Sequence, residues 1–167
     1  MPGFSQFMRK SISRFLYLPP LAIALTLSAH ASDQVIYPSP EQAKADLASG
    51  LKAAAAGHKN VILDFGGNWC GDCHVLDIYF HDPANKPLLD GNFVLIHINI
   101  GHMDENVDIA ERYQIPLAKG VPALAVLDEH GKLLYSQRTG EFEAMRRMDI
   151  SSVTSFLLQW KPAKRGK

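Results

Sequence analysis

Cysteine is scarce in this chain, which has Cys70 and Cys73 and no others among 167 residues. A small exported protein held together by disulfides normally uses several bridges that close long loops, so that class is excluded. A bridge across two intervening residues removes little entropy from the unfolded chain, so the pair suits chemistry better than stabilisation. An apolar run of the full length expected of a spanning helix is also missing. The apolar stretch from Phe15 to Ala29 is 15 residues long and broken by Pro19-Pro20, whereas a membrane span needs roughly 20 mostly apolar residues. Charge of one sign does not dominate either, since 17 Lys+Arg match 17 Asp+Glu. Without a clustered basic face there is no electrostatic footprint for nucleic acid. There is no internal repeat, and Ala53 to Ala56 is ordinary helix rather than low complexity.

The first 31 residues read as an export signal. Arg9, Lys10 and Arg14 give a positive start, the apolar stretch follows, and Ala29-His30-Ala31 supplies small residues at a cleavage site before Ser32. Removing them leaves 14 Lys+Arg against 17 Asp+Glu, a formal charge of −3. The expectation is a soluble protein in the periplasm or otherwise exported. One domain spans residues 32–161, followed by a basic flexible tail at 162–167 that contains Lys164, Arg165 and Lys167.

Within that domain, Ser39-Pro40-Glu41-Gln42 reads as a helix start with Ser39 as N-cap, and the helix should run to Ala56 with Gly57 as its cap. Val61 to Phe65 is a short apolar run suited to a buried strand, in which the charge of Asp64 is out of place. "HVLDIYF" reads as a helix that stops near Pro83, and residues 93–100 read as a strand. Residues 104–113 form a short helix, residues 122–128 and 132–138 an antiparallel hairpin across Glu129-His130-Gly131, and residues 151–160 a last helix. A further short strand is possible at Val35-Ile36-Tyr37. Strands alternating with helices imply an α/β fold with a mostly parallel central sheet, a C-terminal antiparallel hairpin and helices on both faces.

The informative motif is "NWCGDCH", residues 68–74. Cys-x-x-Cys is a redox pair in one setting, and Cys-x-x-Cys-His attaches c-type haem in another. A buried strand that runs straight into the motif, with a parallel-sheet pattern after it, argues against a small helical cytochrome. A thiolate at the first cysteine would sit where the free N–H groups and macrodipole of the following helix favour negative charge. Cys70 is thus the candidate nucleophile, and Cys73, one turn into the helix, the candidate resolving thiol.

Trp69-Cys70-Gly71-Asp72-Cys73 in its strand-and-helix setting, with Asp64 six residues before Cys70, Val121-Pro122 before a strand and Gly140 after the last strand, resembles the thioredoxin family. The resemblance covers most of the chain after residue 31. It implies a thioredoxin-like fold and a thiol–disulfide oxidoreductase with a redox-active Cys70–Cys73 disulfide, no further cofactor and no metal. It implies a buried acid at Asp64 that exchanges a proton with Cys73. It implies that Trp69 shapes the docking surface, and that a cis Pro122 sets the Val121 backbone opposite the disulfide to pair with an extended substrate. His97 falls where the family often carries a lysine near the acid, and it is a candidate modulator of Asp64. The chain departs from the pattern at Gly71-Asp72, in the loop Gln114 to Gly120, and in "EFEAMRRMD", residues 141–149.

Asp72 suggests a direction of electron flow. A carboxylate beside Cys70 disfavours its thiolate and so favours the disulfide, which biases the protein toward donating electrons; a protonated His74 would partly cancel this. The partners expected are protein disulfide substrates and, by resemblance to exported members, a membrane-embedded thiol relay as electron donor, with the protein acting as a monomer. The alternatives are a copper-binding chaperone using Cys70, Cys73 and a nearby His or Met, and the haem protein, with Met103, Met145 or Met148 as distal ligand.

Overall fold

A computed structural model describes residues 35–163. The export-signal region 1–31 and most of the basic tail lie outside the described residues. Helix α1 (Ala43–Gly57) is entered through a 3-10 turn at Pro40–Gln42. Strand β1 (Asn60–Gly66), helix α2 (Gly71–Phe80), helix α3 (Lys86–Asn92) and strand β2 (Phe93–Asn99) follow. Helix α4 (Val107–Arg112), strands β3 (Ala123–Leu127) and β4 (Leu133–Ser136), and helix α5 (Ile150–Trp160) complete the order. Two further 3-10 turns sit at Leu117–Lys119 and Met145–Arg147.

The four strands lie in the order β2-β1-β3-β4. All seven residues of β1 are buried, as expected of a central strand covered on both faces, and this explains its unbroken apolar run. One face of the sheet is covered by α1 and α4 through Leu47, Ala54, Ile109 and Tyr113. The other is covered by α2, α3 and α5 through Leu76, Phe80, Leu89, Val153 and Leu157. The α/β thioredoxin-like class therefore stands.

Strand direction needs one correction. Only β1 and β2 run parallel, while β1–β3 and β3–β4 are antiparallel, so the sheet is mixed rather than mostly parallel. A parallel return from β2 would have to carry the chain back along a strand of about 23 Å at seven residues. Helix α4 has six residues and advances only about 9 Å. The chain therefore re-enters at the end it left, with Ala123 beside Phe65.

Three local differences have physical reasons. Residues 35–37 form no strand, because the Asn68 side chain takes the place of a partner strand: its Oδ1 accepts from Ile36 N at 2.9 Å and Tyr37 N at 3.0 Å, and its Nδ2 donates to Tyr37 O at 2.8 Å. Helix α1 ends on His58 in the left-handed region (φ 54) rather than on Gly57, and Ser39 makes no side-chain capping bond. Helix α3 is an element not expected from the sequence; Pro87 sits in its first turn, where proline lacks only an N–H that has no helical partner anyway.

Candidate active site

The end of β1 turns through Gly67, Asn68 and Trp69 into α2. Cys70 is the N-cap of that helix in an extended conformation, and its Sγ lies 3.1 Å from Cys73 N. A sulfur so placed faces the free N–H groups of the first helical turn, which stabilise a thiolate when the pair is reduced. Cys70 and Cys73 are joined as a disulfide. Cys73 is fully buried, whereas Cys70 keeps 5% of its surface exposed. The Val121–Pro122 peptide is cis, and Val121 O lies 3.6 Å from Cys70 Sγ. The backbone of the β3 approach thus faces the cysteines, as the resemblance implied.

Below the disulfide, Asp64 is fully buried. Its Oδ2 accepts from the Tyr37 hydroxyl at 2.7 Å and lies 2.9 Å from His97 Nδ1, while Oδ1 has no hydrogen-bond partner among the described residues. The parallel register sets His97 directly beside Asp64. Burial works against a charged His97, yet the hydrogen bond and the negative charge of Asp64, helped by Asp77, hold its imidazole above its usual value. Burial, together with the charge and hydrogen bond of Asp64, drives the Tyr37 phenol well above its usual range, so it stays protonated and remains a donor. Gly66 makes room for this cluster. A Cβ there would stand 2.5 Å from the Tyr37 hydroxyl and 2.7 Å from Cys73 Sγ, closer than real Cβ contacts.

The rim departs from expectation at Asp72. Arg146 donates to it three times: from its backbone N to Oδ1 at 2.8 Å, and from Nε and Nη2 to Oδ2 at 3.1 and 2.8 Å. These bonds, with the guanidinium charge, hold the Asp72 carboxyl below its usual value. Its negative charge is offset by Arg146 and not by His74, whose Nε2 lies 2.9 Å from Asn68 O. The electron-donor bias argued from an unpaired Asp72 is accordingly weakened. Segment 141–149 brings Arg146 into place because it is anchored: Phe142 and Met145 are buried in the core, and Gly140 (φ +81) leans so close to Lys119 O that a Cβ would sit 2.7 Å from it. This segment departs from the family pattern in the sequence, and in the fold it closes one side of the site.

Trp69 is 49% exposed, stacks on His102 at 5.8 Å and donates from Nε1 to Gly101 O at 2.6 Å. It lies beside the cysteines as a surface platform rather than in the core. Cys70, Cys73, Asp64, His97, Val121 and Pro122 converge, with Asp72, His74 and Trp69 at the edge. Tyr37, Asn68, Gly66 and Arg146 are site residues to which the sequence assigned no role, although Asn68 opens the motif at 68–74 and Arg146 lies in the segment 141–149. Tyr37 lay in the run Val35-Ile36-Tyr37, read there as a strand. Among the described residues no group of three or more His, Cys, Asp or Glu side chains is placed to hold a metal ion.

A family model described as thioredoxin-like matches residues 42–129. The chain is 25% identical to a thioredoxin of Pongo abelii over 104 residues, 62% of this chain and 85% of that protein. It is 38% identical to a thioredoxin of Gallus gallus over 66 residues, 40% of this chain and 55% of that protein. Its fold superposes with a TM-score of 0.71 on a structure described as a disulphide isomerase from Xylella fastidiosa Temecula1, at 29% identity over 75% of this chain and 96% of the other.

Proposed function

The chain belongs to the thioredoxin-like family and is a thiol–disulfide oxidoreductase, and from that premise we propose that it reduces protein disulfides, with Cys70 attacking and Cys73 resolving. The observation that carries this assignment of roles is the asymmetry of the two sulfurs. Cys70 is at the helix cap, beside Val121 O and still 5% exposed, while Cys73 is fully buried.

In the reducing direction the Cys70 thiolate attacks one sulfur of a substrate disulfide. A Cys70–substrate bond forms, and the other substrate sulfur leaves as a thiolate that takes a proton from water. Cys73 then loses its proton, attacks Cys70 Sγ and displaces the second substrate sulfur. The two electrons of the dithiol end on the substrate, and the Cys70–Cys73 disulfide remains. Val121 and Pro122 offer main-chain atoms for an extended substrate segment, and Trp69 an apolar platform beside it.

The proposal extends to place and partner. The basic start, apolar stretch and Ala29-His30-Ala31 support export with a cut before Ser32. An exported reductant must be re-reduced from outside its own chemistry, which points to a membrane thiol relay as donor to a monomeric protein. Insulin reduction by wild type, Cys70→Ser and Cys73→Ser tests the roles. Turnover by wild type alone is expected, and turnover by Cys70→Ser would contradict them. The mass of the exported protein tests the cut at Ser32.

A further inference from the structure

We propose that Arg146 selects among substrates: its guanidinium, held over the residue that follows Cys70, pairs with an acidic side chain next to the reacting cysteine of a peptide disulfide. The proposal names a substrate class for the reaction given above and rests on the reading of Cys70 as the attacking thiol.

Three observations carry it. First, the carboxylate of this rim is covered and the guanidinium lies outside it. The Asp72 side chain keeps 13% of its surface exposed and that of Arg146 keeps 68%, so an approaching chain meets the cation. Second, Asp72 accepts from Nε and Nη2, while Nη1, outside that fork, lies 3.7 Å from the point where a Gly71 Cβ would stand. A charged donor thus stands over the residue next in the chain to the attacking thiol. Third, the guanidinium is fixed before a substrate arrives. The Arg146 backbone N donates to Asp72 Oδ1 at 2.8 Å, and the segment is pinned by Met145 and Phe142, both buried. Little side-chain freedom remains to be lost when a substrate carboxylate binds.

The groove at this rim encloses about 420 Å³ and is lined by Asp72, Glu143, Ala144, Arg146 and Arg147. Its charged residues are two of each sign, so it does not draw in anions as a whole; it sorts charges by position. Glu143 stands at the other wall, where its Cβ and Oε2 lie 2.9 and 3.5 Å from the point where a Gly120 Cβ would stand. Gly120 precedes Val121, whose backbone faces the cysteines. A substrate carboxylate is therefore favoured beside Cys70, where Arg146 is outermost, and disfavoured toward Val121, where Glu143 is. The preference belongs to the neighbour of the substrate cysteine and not to the net charge of the substrate. Charges at a rim act mainly on the rate of association and weaken with salt.

Single-turnover reduction of synthetic peptide disulfides tests it. The reduced full-length protein is mixed with the peptide and quenched with acid, and the released thiols are measured by chromatography; each peptide disulfide yields two thiols and leaves the Cys70–Cys73 disulfide. The peptides differ only in an Asp, Asn or Lys placed directly before or directly after the cysteine. Each rate is divided by that of the same peptide with dithiothreitol, which removes the neighbour's effect on the substrate sulfurs. At one flank Asp should outpace Asn by roughly two- to fivefold at low salt, the worth of an exposed ion pair, with Lys slowest. The order should flatten at about 1 M salt. Arg146→Ala uncovers Asp72 and should reverse the order. Equal normalised rates for Asp and Asn at both flanks in wild type overturn the proposal, whether or not the variant folds, and so does an Asp preference that persists in Arg146→Ala; either result leaves the roles of the cysteines standing. Reduction by Cys70→Ser would instead overturn that assignment of roles, and the proposal with it.

Discussion

Asp72 and Arg146 show how one contact reverses an inference from residue type. An unpaired carboxylate beside Cys70 would destabilise the thiolate, but Arg146 supplies an opposing charge at 2.8 Å. The two substitutions should therefore move the reduction potential in opposite directions. Arg146→Ala frees the Asp72 charge, disfavours the Cys70 thiolate and makes the protein more reducing. Asp72→Asn leaves Arg146 unopposed, favours the thiolate and makes it less reducing. Equilibration against glutathione measures both, and shifts of the same sign would contradict the electrostatic account. His97 gives a pH dependence of stability. Its folded value is raised above the usual 6.5, so its stabilising contribution is fully present below about pH 6.5 and is lost as pH rises through the folded value. The urea-unfolding difference between wild type and His97→Gln should be largest on the acid side and shrink toward alkaline pH. Gly66→Ala forces a methyl between Tyr37 and Cys73 and should cost about 1–3 kcal/mol, the usual range for overpacking a core.

Segment 141–149 is the element whose role the sequence concealed. Its charges and short apolar spacing resemble solvated loop, yet Met145 is fully buried against the face that also holds Phe80 and Leu157. Met145→Ala should therefore destabilise by about 2–5 kcal/mol in urea unfolding, where a tolerated surface insertion would show almost no change. The elements legible in advance were those with strong local signals: the apolar run of β1, the α2 helix after the cysteines, and the hairpin across Glu129-His130-Gly131. Helix α3 was hidden because Pro87 in its first turn and Gly91 near its end are loop residues by type, while its Leu89 is buried on the sheet. The direction of β3 was hidden because alternation of helix and strand does not report how far each helix travels.

In the molecule as a whole, the motif, the buried acid and the proline segment could be read because each has a local pattern. Their partners could not, since Tyr37 meets Asp64 across 27 positions of sequence and Arg146 meets Asp72 across 74. Such contacts depend on how two faces of the sheet close around the end of β1. On the proposed roles, this closure makes the cysteines unequal, one to attack and one to resolve. Mass spectrometry of the covalent adducts formed with a disulfide-bonded peptide tests it most directly. Cys73→Ser should accumulate a mixed disulfide mapped to Cys70, while Cys70→Ser should accumulate none. An adduct on Cys73 in the Cys70→Ser variant, or equal trapping by the two variants, would contradict it.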